Sequence, residues 1–119
     1  MKRLKYLIQK CKKGYCDEDV WEPYVFIARS IANILKEFKK TQIGYPYSLE
    51  SEGEWKEILD QIIEGFEIMA TKDSPPITTN EEEWARLSDK LKDDYSLEDI
   101  KKINRAWDLL RKHFFELWD

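Results

Sequence analysis

The stretch Ser96-Leu97-Glu98-Asp99-Ile100-Lys101-Lys102-Ile103-Asn104-Arg105-Ala106-Trp107-Asp108-Leu109-Leu110-Arg111-Lys112-His113-Phe114-Phe115-Glu116-Leu117 decides the fold class. Within it Ile100, Ile103, Trp107, Leu110, Phe114 and Leu117 recur at intervals of three, four, three, four and three. That spacing is the seam of a helix burying one side against other helices, and Ser96 with Asp99 three residues later supplies its capping pair. At roughly three heptads the seam is too short to stand as a coiled coil alone, so its partners must lie elsewhere in the chain.

Working back toward the N-terminus, Trp84, Leu87 and Leu91 form a fourth helical pattern, opened by Thr79 and Glu82 at cap spacing. A break is expected at Asp93-Asp94-Tyr95-Ser96, although no Gly or Pro marks it. Asp73-Ser74-Pro75-Pro76 cannot continue a helix, so residues 71–79 read as a loop. Before it, Trp55, Ile58, Leu59, Ile62, Ile63, Phe66 and Met69 form a third amphipathic helix, started by Ser51 with Glu54 and ending near Ala70.

Residues 41–50, with Gly44 and Pro46, interrupt the period. The second helix is expected to begin near Asp17 to Asp19, with Pro23 in its first turn. Its wide stripe takes in Tyr24, Ile27, Ala28, Ile31, Ile34, Leu35 and Phe38 and runs until Lys39 and Lys40. The first helix places Leu4, Leu7, Ile8 and Cys11 on one side and stops at Gly14. No run of residues alternates as a half-buried strand does. The expectation is an all-α fold, one domain over residues 1–119, built as a compact antiparallel bundle of four to five helices.

Composition agrees. A chain of 119 residues is the size of one domain, and 37% charged residues with four Gly and four Pro exclude collagen and low-complexity linkers. No apolar run approaches the roughly 20 residues of a bilayer-spanning helix, and the opening residues are too charged for a secretory h-region. A soluble cytoplasmic protein with no membrane partner is therefore expected. Charge is uneven: Lys2, Arg3, Lys5, Lys10, Lys12 and Lys13 occur in the first 13 residues without an acid, so at −4 overall the remaining 106 residues carry −10. Such a basic arm is a candidate nucleic-acid contact, or it lies along an acidic body, its own or a neighbour's.

Chemistry is sparse. Two Cys and one His supply neither a disulfide framework nor an all-Cys/His zinc site. Asp17, Glu18, Asp19 and Glu22 lack the Gly and Glu that a calcium loop requires at its sixth and twelfth positions, and read as dipole-favoured helix-start acids. No Glu-x-x-His, Gly-rich phosphate loop or nucleophile elbow is present. His113 reads as a helix-terminal residue beside Glu116, Cys11 as a buried small hydrophobe and Cys16 as a loop thiol. No catalytic residue, metal or cofactor is expected. An enzyme using surface carboxylates stays as a third class, which a cleft with two carboxyl groups of strongly raised pKa would support.

The aromatic residues remain. Trp55, Trp84 and Trp107 match core stripes, whereas Tyr45, Tyr47, Tyr95 and Trp118 fall in a loop, a junction and a terminus. These four are candidate contacts for a protein partner, a second copy included.

Several ordered stretches resemble a family of uncharacterised small proteins encoded by bacteriophages and prophages. They are Lys12-Lys13-Gly14-Tyr15-Cys16-Asp17-Glu18-Asp19-Val20-Trp21, then Gly44-Tyr45-Pro46, Trp55-Lys56-Glu57-Ile58-Leu59 and Gly65-Phe66-Glu67, and the ending His113-Phe114-Phe115-Glu116-Leu117-Trp118-Asp119. Cys16 stands where a Ser-like residue is common in that family, and Glu22-Pro23 replaces a Ser/Asn-Leu type of continuation. The resemblance implies a phage or prophage origin and a bacterial host, and no mechanism.

Overall fold

The structure is a computed structural model that describes residues 2–92 and 94–118. Among the described residues there are seven α-helices and no strand: α1 (Lys2–Lys13), α2 (Asp17–Trp21), α3 (Pro23–Thr41), α4 (Glu52–Thr71), α5 (Glu81–Arg86), α6 (Asp89–Lys92) and α7 (Leu97–His113). A 3-10 turn, Phe114–Glu116, follows. The all-α expectation holds. The count of four to five helices does not, because two expected helices are each divided.

The first division falls at Glu22. Pro23 has no N–H to give and takes the first position of α3, so the acids expected to open the second helix form a helix of their own, α2. The second division separates α5 from α6 at Leu87, whose backbone is extended. The cap of α5 also sits one residue later than expected, with Asn80 rather than Thr79 accepting from the N–H of Glu83 at 3.0 Å. The break before α7 is present, although Asp93 lies outside the described residues. There Ser96 and Asp99 exchange reciprocal side-chain-to-backbone bonds of 3.1 Å. Ser51 likewise accepts from the N–H of Glu54, and Gly14 ends α1 at φ +82°.

Packing centres on α4. It lies between α3 and α7 and contributes Trp55, Leu59, Ile62, Ile63 and Phe66 to a core completed by Ala28, Ala32, Leu35, Ala106 and Leu110. Where α4 meets α7, a Cβ on Gly65 would stand 2.3 Å from Ala106 Cβ and 2.7 Å from the Lys102 carbonyl oxygen, so only glycine permits this approach. Ion pairs Lys36–Glu67, Lys39–Asp60 and Lys102–Glu64 brace the same three helices. Trp84, Tyr95, Ile100 and Ile103 form a second cluster under α5.

The result is broad and thin, 45 × 44 × 18 Å, with a radius of gyration of 16.7 Å. A compact chain of this length has about 13–14 Å. In so thin an arrangement several stripe residues lack a second layer: Ile27, Ile34, Trp107 and Phe114, expected in the core, are about half exposed or more. The cysteines exchange their expected environments as well. Cys11 is exposed on α1, whereas the turn in which Cys16 N–H donates to Asp19 Oδ2 at 2.9 Å leaves the Cys16 side chain buried.

Candidate functional site: an aromatic cleft at one end of the helices

The pairs Lys36–Glu67 and Lys39–Asp60, and Lys102–Glu64 and Arg105–Gln61, run in opposite sequence directions, so α3 and α7 are each antiparallel to α4 and both end on the side where α4 begins. The loop leaving α3 is irregular because Gly44 takes φ +90° and Pro46 removes a donor, which stops the helix from extending. The chain leaving α7 tightens into the 3-10 turn. Between these two segments opens a cleft of about 550 Å³, lined by Gln42 to Ser48 from the loop and by Glu116 and Trp118 from the end of the chain.

Tyr45 and Tyr47, from the loop after α3, and Trp118, after the 3-10 turn, are therefore brought together from distant parts of the sequence. Tyr47 is 105% and Trp118 72% exposed, values that place both rings outside any core. Ile43 and Pro46 add apolar surface. Glu116 is the acidic member, with Oε2 at 3.5 Å from Ser48 Oγ and Oε1 at 3.1 Å from Nδ1 of His113. His113 is itself buried, its ring 5.6 Å from that of Trp55, so the cleft wall is anchored directly to the core.

Tyr95 does not belong to this site. It is buried against Trp84 with ring centroids 6.5 Å apart, because the junction before α7 folds beneath α5 instead of projecting into solvent. Ile43, Pro46, Ser48 and Glu116 were not singled out from the sequence as partner contacts; no local signal joins Ser48 to Glu116 across 68 positions.

The basic set, Lys2, Arg3, Lys5, Lys10, Lys12 and Lys13, lies wholly on α1, at the other end of α3. Two of its members are engaged, Lys5 with Asp17 at 3.3 Å and Lys10 with Asp19 at 3.7 Å. The Gln9 side chain and the Lys5 ammonium hold Asp17 below the usual carboxylate range. Partial burial pushes Asp19 up, but the Cys16 backbone N–H and thiol together with Lys10 outweigh it, and its pKa too is lowered. Both shifts run opposite to that of a carboxyl group prepared as a general acid. Among the described residues no three His, Cys, Asp or Glu side chains converge as metal ligands.

What the cleft offers is aromatic and apolar area, one carboxylate and a fixed wall. These are the means of recognising a segment of another molecule. In comparison with known proteins, the chain matches no family model, no curated protein and no solved structure.

Proposed function

We propose that the protein is a non-enzymatic interaction module that docks a protein partner, a second copy of itself included, in the cleft between residues 42–48 and the end of the chain. The observation that carries this reading is the convergence of Tyr45, Tyr47 and Trp118 on one opening, with the largest rings left in solvent. Exposed Tyr and Trp cost the unbound protein apolar hydration that a partner relieves, and they lose little side-chain entropy on binding. Glu116 gives the cleft polarity: a partner segment with a cation beside its apolar contacts fits better than a wholly apolar one. The setting we take from the resemblance to phage-encoded proteins is the cytoplasm of a bacterial host.

The test is affinity capture of the tagged protein from bacterial lysate, with and without nuclease, beside a Tyr47→Ala/Trp118→Ala variant. A stoichiometric protein that survives nuclease and is lost from the variant supports the reading. A monomeric protein that recovers nothing, or material removed by nuclease, contradicts it.

A further inference from the structure

α1 is attached to the rest of the molecule by its polar side. Gln9 Oε1 accepts from the N–H of Asp17 at 2.7 Å, Lys5 and Lys10 reach Asp17 and Asp19, and the Tyr6 ring meets that of Trp21 edge-on at 6.3 Å. Tyr6 and Gln9 are the only described α1 residues that are not exposed. At about 3.6 residues per turn, Leu4, Leu7, Ile8 and Cys11 fall on the opposite side. There Leu4 is 64%, Leu7 60% and Ile8 47% exposed. An amphipathic helix ordinarily turns such a stripe inward. Here it faces solvent, and the same wheel puts Lys5 and Lys12 along one edge of the stripe and Arg3 and Lys10 along the other.

We propose that α1 is an interfacial helix that lies on an anionic lipid surface, with Leu4, Leu7 and Ile8 entering the headgroup–acyl boundary and the flanking cations at the level of the headgroups. Two-sided cationic flanks around an apolar stripe, with no acid in the helix, match that environment. The main contact of α1 with the body is through α2, and the Gln9 and Tyr6 contacts place it on the side away from the stripe, which leaves Leu4, Leu7 and Ile8 exposed. The acidic body does not prevent approach: Asp17 and Asp19, the acids paired with the arm, sit behind it, and charges farther back than about 8 Å are screened at physiological salt. Pairing of α1 with α1 of a second copy would bring the flanking cations of both helices together, and a phosphate backbone alone would leave the stripe in water. No described helix is long and apolar enough to cross a membrane, and none is needed for this mode of attachment.

The experiment is co-sedimentation of the full chain with vesicles of phosphatidylcholine mixed with phosphatidylglycerol, against vesicles of phosphatidylcholine alone. Binding to the mixed vesicles, weakened by salt and weak on the neutral ones, is expected. Leu4→Ser/Leu7→Ser is expected to lower the partition coefficient roughly 30- to 100-fold. Arg3→Gln/Lys12→Gln, which spares both ion pairs to α2, is expected to lower it roughly 30-fold. Neither change touches the core, so circular dichroism and Tm remain those of the parent. Tyr47→Ala/Trp118→Ala retains vesicle binding, which separates this inference from the docking proposed for the cleft. No sedimentation with anionic vesicles overturns it, as does equal binding to both vesicle types. So does vesicle binding indifferent to Leu4 and Leu7, or a stripe found covered by an acidic protein or a second copy in solution.

Discussion

Nδ1 of His113 stands 3.1 Å from Oε1 of Glu116, and this contact joins the buried core to the rim of the aromatic cleft. His113 packs against Trp55, and Glu116 pairs with His113, so the far wall of the cleft is tied to the core.

Removing that carboxylate leaves a buried imidazole nitrogen without its partner. Glu116→Ala is expected to cost about 1–2 kcal/mol in urea unfolding, whereas Glu116→Gln, which keeps a hydrogen-bonding group, costs less. Loss of stability in both variants alike would show that charge, not hydrogen bonding, sets the contact.

The close passage of α4 over α7 gives a sharper expectation. Because Gly65 has no room for a Cβ beside Ala106 and the Lys102 carbonyl, Gly65→Ala forces the helices apart despite its better helix propensity. A loss of about 1–3 kcal/mol is expected, and an unchanged or raised Tm would contradict the packing described.

The cleft rings contribute differently. Tyr47→Ala and Trp118→Ala remove side chains that bear little of the fold, so each changes stability by no more than about 0.5 kcal/mol. In complex with a partner the same truncations cost about 2 kcal/mol or more, as buried aromatic anchors do. The contrast is checked by thermal melts beside titration calorimetry.

Tyr95 predicts alkaline behaviour. Burial, with the nearby Tyr24 phenol and the acids Asp94 and Asp99, pushes its phenol up to about 12. A group neutral in the fold and more acidic when unfolded contributes stability that is complete below about pH 10 and is lost as pH rises toward 12. Among the described residues its hydroxyl has no hydrogen-bond partner, so Tyr95→Phe is expected to change neutral-pH stability by at most about 1 kcal/mol. It also flattens the alkaline decline. Denaturant melts across that pH range measure both effects.

The fold class was legible because its signals are local. The reciprocal Ser96–Asp99 cap and the stop at Gly14 each act within a few residues and are found where they were expected. Of the 3-4-3-4-3 seam, Ile100, Ile103 and Leu110 are buried on α7, whereas Trp107 is half exposed and Phe114 and Leu117 lie beyond the end of the helix. Which apolar residues end up covered is a matter of how many helix layers stack, and periodicity does not encode that number. Ile27, Ile34 and Trp107 therefore read as core and stand in solvent. Cys11 and Cys16 exchanged places for a related reason: Cys11 follows an uncovered stripe, and Cys16 lies in a turn closed by Asp19.

Of the site, three aromatic residues were legible as loop and terminal residues with no local partner. Their convergence was not, because it depends on α3 and α7 ending together, a consequence of both packing antiparallel to α4. Tyr95 was indistinguishable from them in sequence, since a junction that folds under α5 carries the same composition as one that projects.

The most direct test of the docking role is site-specific photocrosslinking in bacterial cells producing the full chain, with benzoylphenylalanine placed at Tyr47 or Trp118 in the cleft, or at exposed Glu57 on α4 as control. Discrete adducts with one protein, or with a second copy of the chain, from positions 47 and 118 and none from 57 are the predicted result. No adduct from the cleft, or the same adducts from all three positions, would contradict it.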